Sequence, residues 1–167
     1  VKVWDVAKGE CVLTLKGHTN NVQSLCALDG GARIASSSWD KTVKVWDVAK
    51  GECALTLQGH TLIVLSVCAL DGGSRSASGS YDTTVKVWDV ESGELLRDLQ
   101  AHTNPVNCIA LSSDGKRVVS GSWDRTVKVW DAESGELLHD LQGHTNYIFC
   151  LTLSSDGKRV VSGSKDR

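Results

Sequence analysis

Apolar and polar residues alternate along this chain in short runs, and turn-forming residues separate each run from the next. The stretch from Pro105 shows the rule. "PVNCIALS" alternates and closes on "SDGK", where Asp-Gly is a strong hairpin-turn signal. "RVVSGS" follows, then the tight "WDRT", then "VKVWD"; "AESGE" turns the chain once more into "LLHDLQ", ahead of Gly143-His144. Alternation of period two puts successive side chains on opposite faces of a strand. No stretch carries the helical period, so the pattern predicts an all-β chain in which each unit is a four-stranded antiparallel sheet.

The unit repeats. "VKVWD" starts at Val1, Val43, Val85 and Val127, a period of 42 residues. Units 1–42 and 43–84 agree at 31 of 42 positions, and units 85–126 and 127–167 at 32 of the 41 they share, so a single sheet design recurs along one domain, 1–167.

Composition narrows the function classes. The formal net charge is −2 and the isoelectric point about 6.2, so bulk electrostatics calls for neither nucleic acid nor an anionic membrane. No apolar run nears the roughly 18 residues of a membrane-spanning helix. Six cysteines are present and none forms a Cys-x-x-Cys pair, which argues against zinc or a redox motif. Most lie in apolar strand-like runs, so buried free thiols, and with them a cytoplasmic or other reducing intracellular location, are the expectation. There is no Met, which suggests a processed chain or a piece of a longer one; the lack of a leader at Val1 is then uninformative.

Four residue types recur at fixed offsets: His18, Ser36, Asp40 and Trp46; His60, Ser78, Asp82 and Trp88; His102, Ser120, Asp124 and Trp130. Serine, histidine and aspartate together are the ingredients of a hydrolase relay. An enzyme, however, needs one activated nucleophile in a cleft, whereas this set appears in every unit, and no Gly-x-Ser-x-Gly elbow is present. No catalytic residue, metal or cofactor is therefore expected. His139 occupies the position of Arg97 and reads as a solvated strand site.

Gly-His, an Asp-bearing tight turn and Trp-Asp at a period of 42 together resemble the WD-repeat β-propellers, over the whole chain. The resemblance implies propeller blades whose strands run from first, innermost, to fourth, outermost, with "VKVWD" as the third. It also implies that the recurrent quartet is a structural hydrogen-bond network joining three strands and the loop into the first. Buried polar groups need partners, and a closed network supplies them while fixing register. On this reading the chain runs as third and fourth strands, three complete blades, then first and second strands. The last network, His144, Ser162 and Asp166, lacks its Trp, and Trp4 lacks its His, Ser and Asp.

Three completions of that split blade are conceivable: a four-bladed ring from one chain, an eight-bladed ring from two chains that exchange halves, or a segment of a larger propeller. Propellers span about four to eight blades. The resemblance implies larger rings, and near-identical blades resist the wedge angle of four, so the single-chain ring is disfavoured. Absence of Met favours the segment; the near-integer count of units favours a homodimer through strand exchange.

The resemblance further implies three positions per blade on a top face, here Asn21, Gln23 and Trp39; Ile63, Leu65 and Tyr81; Pro105, Asn107 and Trp123; and Tyr147, Phe149 and Lys165. The chain has nine aromatic residues, four of them the Trp of "VKVWD", and all five others fall in this set. Units that otherwise match closely differ at these positions, which a packed interior tolerates poorly. Five partly exposed rings suggest a docking patch. The expected function is thus a non-enzymatic scaffold for a protein or peptide; the rival is a purely structural, self-assembling propeller segment. Lys2, Lys44, Lys86 and Lys128 are expected to snorkel to the rim.

Overall fold

The computed structural model describes residues 1–166. Its strands group in the order of the repeat. β1 (Lys2–Asp5) and β2 (Glu10–Thr14) form a two-stranded sheet. Three four-stranded meanders follow. The first is β3 (Val22–Leu28), β4 (Arg33–Ser38), β5 (Val43–Asp47) and β6 (Glu52–Leu57). The second is β7 (Val64–Leu70), β8 (Arg75–Ser80), β9 (Val85–Asp89) and β10 (Leu95–Leu99). The third is β11 (Val106–Leu111), β12 (Arg117–Ser122), β13 (Val127–Asp131) and β14 (Leu137–Leu141). A second pair, β15 (Ile148–Leu153) and β16 (Val160–Ser164), ends the described chain. All pairings are antiparallel, and the two terminal pairs are not hydrogen-bonded to one another. The sheets have the build of propeller blades in an array that does not close.

Local chemistry sets the turns. After each third strand an Asp side chain accepts backbone N–H groups, as Asp89 Oδ1 does from Glu91 at 2.9 Å and Ser92 at 2.7 Å. Gly93 then takes φ +78°, a left-handed conformation that glycine adopts without steric cost. The tight turn before each third strand places Lys41, Thr83 and Arg125 at φ of 72–74°.

The core lies between sheets. Val43, Val45 and Leu57 of the first blade pack with Val64, Val67 and Trp88 of the second; Val85, Val87 and Leu99 pack with Val106, Ile109 and Trp130; Val127 and Val129 pack with Ile148. Each third strand therefore sends its two valines toward the following blade and its tryptophan toward the preceding one, which is the period-two alternation at work. The first strand of the next sheet approaches the second strand so closely that a Cβ on Gly121 of β12 would lie 2.8 Å from both Cys108 Sγ and Ile148 Cγ2. Where a neighbour is incomplete, the same position is uncovered. Leu25 is 52% exposed, against 4% for Val67 and 8% for Ile109 at equivalent sites.

Two expectations need correction. Two of the four periodic lysines, Lys86 and Lys128, do not snorkel to the rim, whereas Lys2 is exposed and Lys44 half-buried. Lys86 and Lys128 are 5% exposed, and their ammonium groups pair with Asp98 at 2.8 Å and Asp140 at 2.7 Å, directly across the sheet on the fourth strand. Lys44 and Lys2 donate instead to Thr56 Oγ1 at 2.7 Å and Thr14 Oγ1 at 3.3 Å. Lysine shares the tryptophan's face, so the neighbouring strand, rather than water, supplies the acceptor.

Nor are all the thiols buried. Cys150 is exposed because no further sheet covers β15, and Cys11 is exposed on β2. Burial pushes the Cys26 thiol up to about 11 and Cys108 up to about 12, and raises Cys68 strongly. Titration of the native protein at pH 8 with a disulfide reagent should modify Cys11 and Cys150 quickly, and Cys26, Cys68 and Cys108 only on unfolding. Rapid modification of Cys68 in the folded protein would contradict the packing described.

Candidate functional site

Each complete blade holds one buried polar chain. Trp46 Nε1–H donates to Ser36 Oγ, His18 Nε2 meets the same oxygen, and His18 Nδ1 meets Asp40 Oδ2; across the three complete sets these distances are 2.7–2.9 Å. The direction of the bonds follows from the groups. A carboxylate only accepts, so Nδ1 carries the proton, and in the neutral ring Nε2 accepts from the serine hydroxyl. The indole N–H, a donor only, fills a lone pair of that hydroxyl. Ser36, Ser78 and Ser120 are 0% exposed. The relay thus has the parts of a hydrolytic triad but no access for a substrate.

The aspartate receives more than histidine. Asp82 Oδ2 also accepts from Thr61 N at 2.9 Å, while Oδ1 accepts Thr84 N at 3.1 Å and Thr84 Oγ1 at 2.7 Å. Thr42 and Thr126 do the same for Asp40 and Asp124. Threonine was not among the residues singled out from sequence, although a Thr precedes "VKVWD" at each of its three internal occurrences. Burial alone would raise the Asp82 carboxyl, but the bonds from His60, Thr84 and Thr61 outweigh it and hold it well below the usual carboxylate range.

The fourth set is open on one side. His144 Nδ1 lies 2.7 Å from Asp166 Oδ2, and Nε2 lies 2.8 Å from Ser162 Oγ. A cavity of about 330 Å³ adjoins them, lined by Val127, Leu141, Gly143, His144, Val160 and Ser162. In the second blade the corresponding groups include Val43, Leu57, Gly59 and Ser78, and they enclose Trp88. Trp4, on β1, is 58% exposed and touches none of the fourth set.

The fold and the quartet define a protein of β-propeller blades, each pinned by a Trp–Ser–His–Asp chain. A family description, "WD domain, G-beta repeat", matches four times, over residues 9–47, 51–89, 93–131 and 135–167. The chain belongs to the WD40 repeat family. Such domains generally serve as protein-interaction scaffolds and are typically non-enzymatic.

At the end of the blades where the tight turns lie, backbone bonds bring two sequence-distant positions together. Trp39 N–H donates to Asn21 O, Tyr81 to Ile63 O, Trp123 to Pro105 O and Lys165 to Tyr147 O. Trp39, Tyr81, Tyr147 and Phe149 are 40–47% exposed. Asn21, Gln23 and Lys165 are exposed as well, whereas Ile63, Leu65, Asn107 and Trp123 are half-buried. Pro105 departs from the top-face expectation in being buried, unlike Ile63 and Tyr147 at the equivalent positions. Three rings form a continuous strip. Tyr81 meets Trp123 edge-on at 5.4 Å between centroids, and Trp123 stacks on Tyr147 at 5.2 Å. Trp39 stands apart, its indole N–H donating to Gln23 Oε1 at 3.0 Å.

Asp82→Ala strands His60 and two Thr84 donors, and should lower unfolding free energy by about 1–3 kcal/mol in denaturant titration. An unchanged midpoint would contradict the network's structural role. Because the carboxyls of Asp40, Asp82 and Asp124 are depressed in the folded state, their stabilisation is complete above the unfolded value of about 3.9 and drains away as pH falls below it. Stability measured by denaturant titration at graded pH should fall steeply from about pH 4 downward.

Proposed function

We propose that this chain is a non-enzymatic scaffold that receives a peptide or protein on the aromatic end of its blades. The observation that carries the reading is the strip Tyr81, Trp123 and Tyr147 with Phe149 beside it. These rings lie outside the inter-sheet cores and remain open to solvent, whereas Trp46, Trp88 and Trp130 of the complete blades are buried. Rigid aromatic rings give large contact area at small entropic cost, which is why they dominate interface energetics. Selecting peptides from a random display library on the immobilised chain supplies the probe. Phe149→Ala or Trp39→Ala should abolish binding of the selected peptides with the melting temperature unchanged. A large loss of stability in both variants would assign these rings to the core and refute the reading.

A second reading rests on a different observation, the open indole cavity beside Ser162 and the exposed Trp4. The β1 sequence is the same "VKVWD" that fills the equivalent site three times in this chain. Two copies exchanging these halves would complete both networks in an eight-bladed ring, with Trp4 of one copy donating to Ser162 of the other. Light scattering of the isolated chain should then give twice 17.9 kDa, reverting to one chain mass in Trp4→Ala. A single chain mass for the unaltered protein would rule the exchange out.

A further inference from the structure

Charge is distributed unevenly between the two ends of the blades. The loops at the aromatic end contain four aspartates, Asp40, Asp82, Asp124 and Asp166, and no glutamate. All four belong to the networks; the side chains of the first three are 7–8% exposed, and each of their oxygens already accepts two bonds. The same loops carry Lys16, Lys41, Arg125 and Lys165, all exposed, and none of these forms an ion pair among the described residues. The turns at the opposite end mix both signs with acids in excess: Glu91 and Glu133 pair with Arg33 at 3.5 Å and Arg75 at 3.2 Å, and Lys116, Arg117, Lys158 and Arg159 are exposed there. At the aromatic end, then, exposed cations stand without ion pairs while the carboxylates of the three complete blades are already occupied.

The strip itself lacks an acceptor. Trp39 gives its indole N–H to Gln23, but Asn107, at the position equivalent to Gln23, is one methylene shorter and donates its own amide to Phe149 O at 2.9 Å. Trp123 Nε1 is left buried with no partner. An unpaired buried donor is costly, which sets Trp123 apart from Trp39. The observation that points to the partner's charge is the set of exposed, unpaired cations at the rim of the rings.

We propose that the occupant of this face is an acidic peptide segment, its carboxylates facing Lys165 and Arg125 and an apolar or aromatic side chain lying against Tyr147 and Phe149. This rests on the aromatic end being the docking face, and deepens it by naming the partner's chemistry. Complementary charge speeds encounter and sets orientation, while the rings supply the buried anchor. The acid-rich opposite end and the mutual stacking of the rings disfavour a nucleic acid as the occupant.

The test uses the full chain and a random dodecamer display library, followed by fluorescence anisotropy with the selected peptides after synthesis. Selected sequences should be rich in Asp and Glu and share an aromatic or leucine anchor. Raising salt from 50 to 500 mM should weaken them about tenfold, since rim charges are screened. The double variant Lys165→Glu, Arg125→Glu should weaken them by a similar factor at unchanged melting temperature. Lys8→Glu, at the opposite end, should have no effect. If the selected peptides are neutral or basic, or ignore charge reversal, yet still depend on Phe149, the acidic assignment fails while the docking face stands. If they bind Phe149→Ala equally well, or if no peptide is selected, the docking face fails and this assignment with it. Tighter binding of a single-stranded oligothymidine than of any selected peptide would overturn the assignment in favour of nucleic acid.

Discussion

A carboxylate placed between strands must find hydrogen-bond donors for all its lone pairs, and the aspartate of each tight turn does so from three directions. Histidine reaches it from the loop that enters the blade, threonine from the start of the third strand, and backbone N–H groups from both. Through histidine and serine the chain of bonds continues to the tryptophan, two strands deep. Losing one member leaves the others unsatisfied in a medium where that is expensive. This one requirement therefore fixes the loop, the register of β8 against β9 and the rotamer of Trp88, and the same holds in the first and third blades.

Burial follows from that registration. With the indole held toward the preceding sheet, the valines of the same strand point toward the following one, and the hydrophobic core forms between blades instead of within any of them. A blade alone is a sheet with two apolar faces. Stability consequently resides in neighbours, as in other repeat architectures, and residues that a full neighbour would cover are exposed: Leu25 of the first complete blade, and Val161 and Trp4 of the two-stranded sheets. The paired Lys86–Asp98 and Lys128–Asp140 contacts belong to this logic, since the neighbouring sheets leave these two lysines almost no solvent exposure.

Much of this was legible in the residues. Alternation marked the strands, and the 42-residue period marked the blades and the place where one is split. What escaped were properties set by a neighbour across space. The lysines were expected at the rim because a stem and a charge suggest snorkelling; the acid opposite them lies 12 residues on, in a strand whose register no local pattern specifies. Thr84 passed unnoticed because a single hydroxyl carries little signal beside His, Asp and Trp. Pro105 belongs to the positions read as exposed, yet it is buried, unlike Tyr147 at the equivalent place in the next unit. On the aromatic end, the five rings could be counted from sequence, but the strip of three, and the orphaned indole N–H within it, required coordinates.

The central claim is that the bonds of the network act together, and a double-mutant cycle on one of them measures this directly. Trp88→Phe removes the indole N–H with most of the ring retained, and Ser78→Ala removes the oxygen that accepts it. Each change should cost about 1–3 kcal/mol by denaturant titration. The pair should cost less than the sum, with a coupling of at least about 0.5 kcal/mol, because the second change removes a group already stranded by the first. Additive losses within error, or single variants as stable as the parent, would contradict the account.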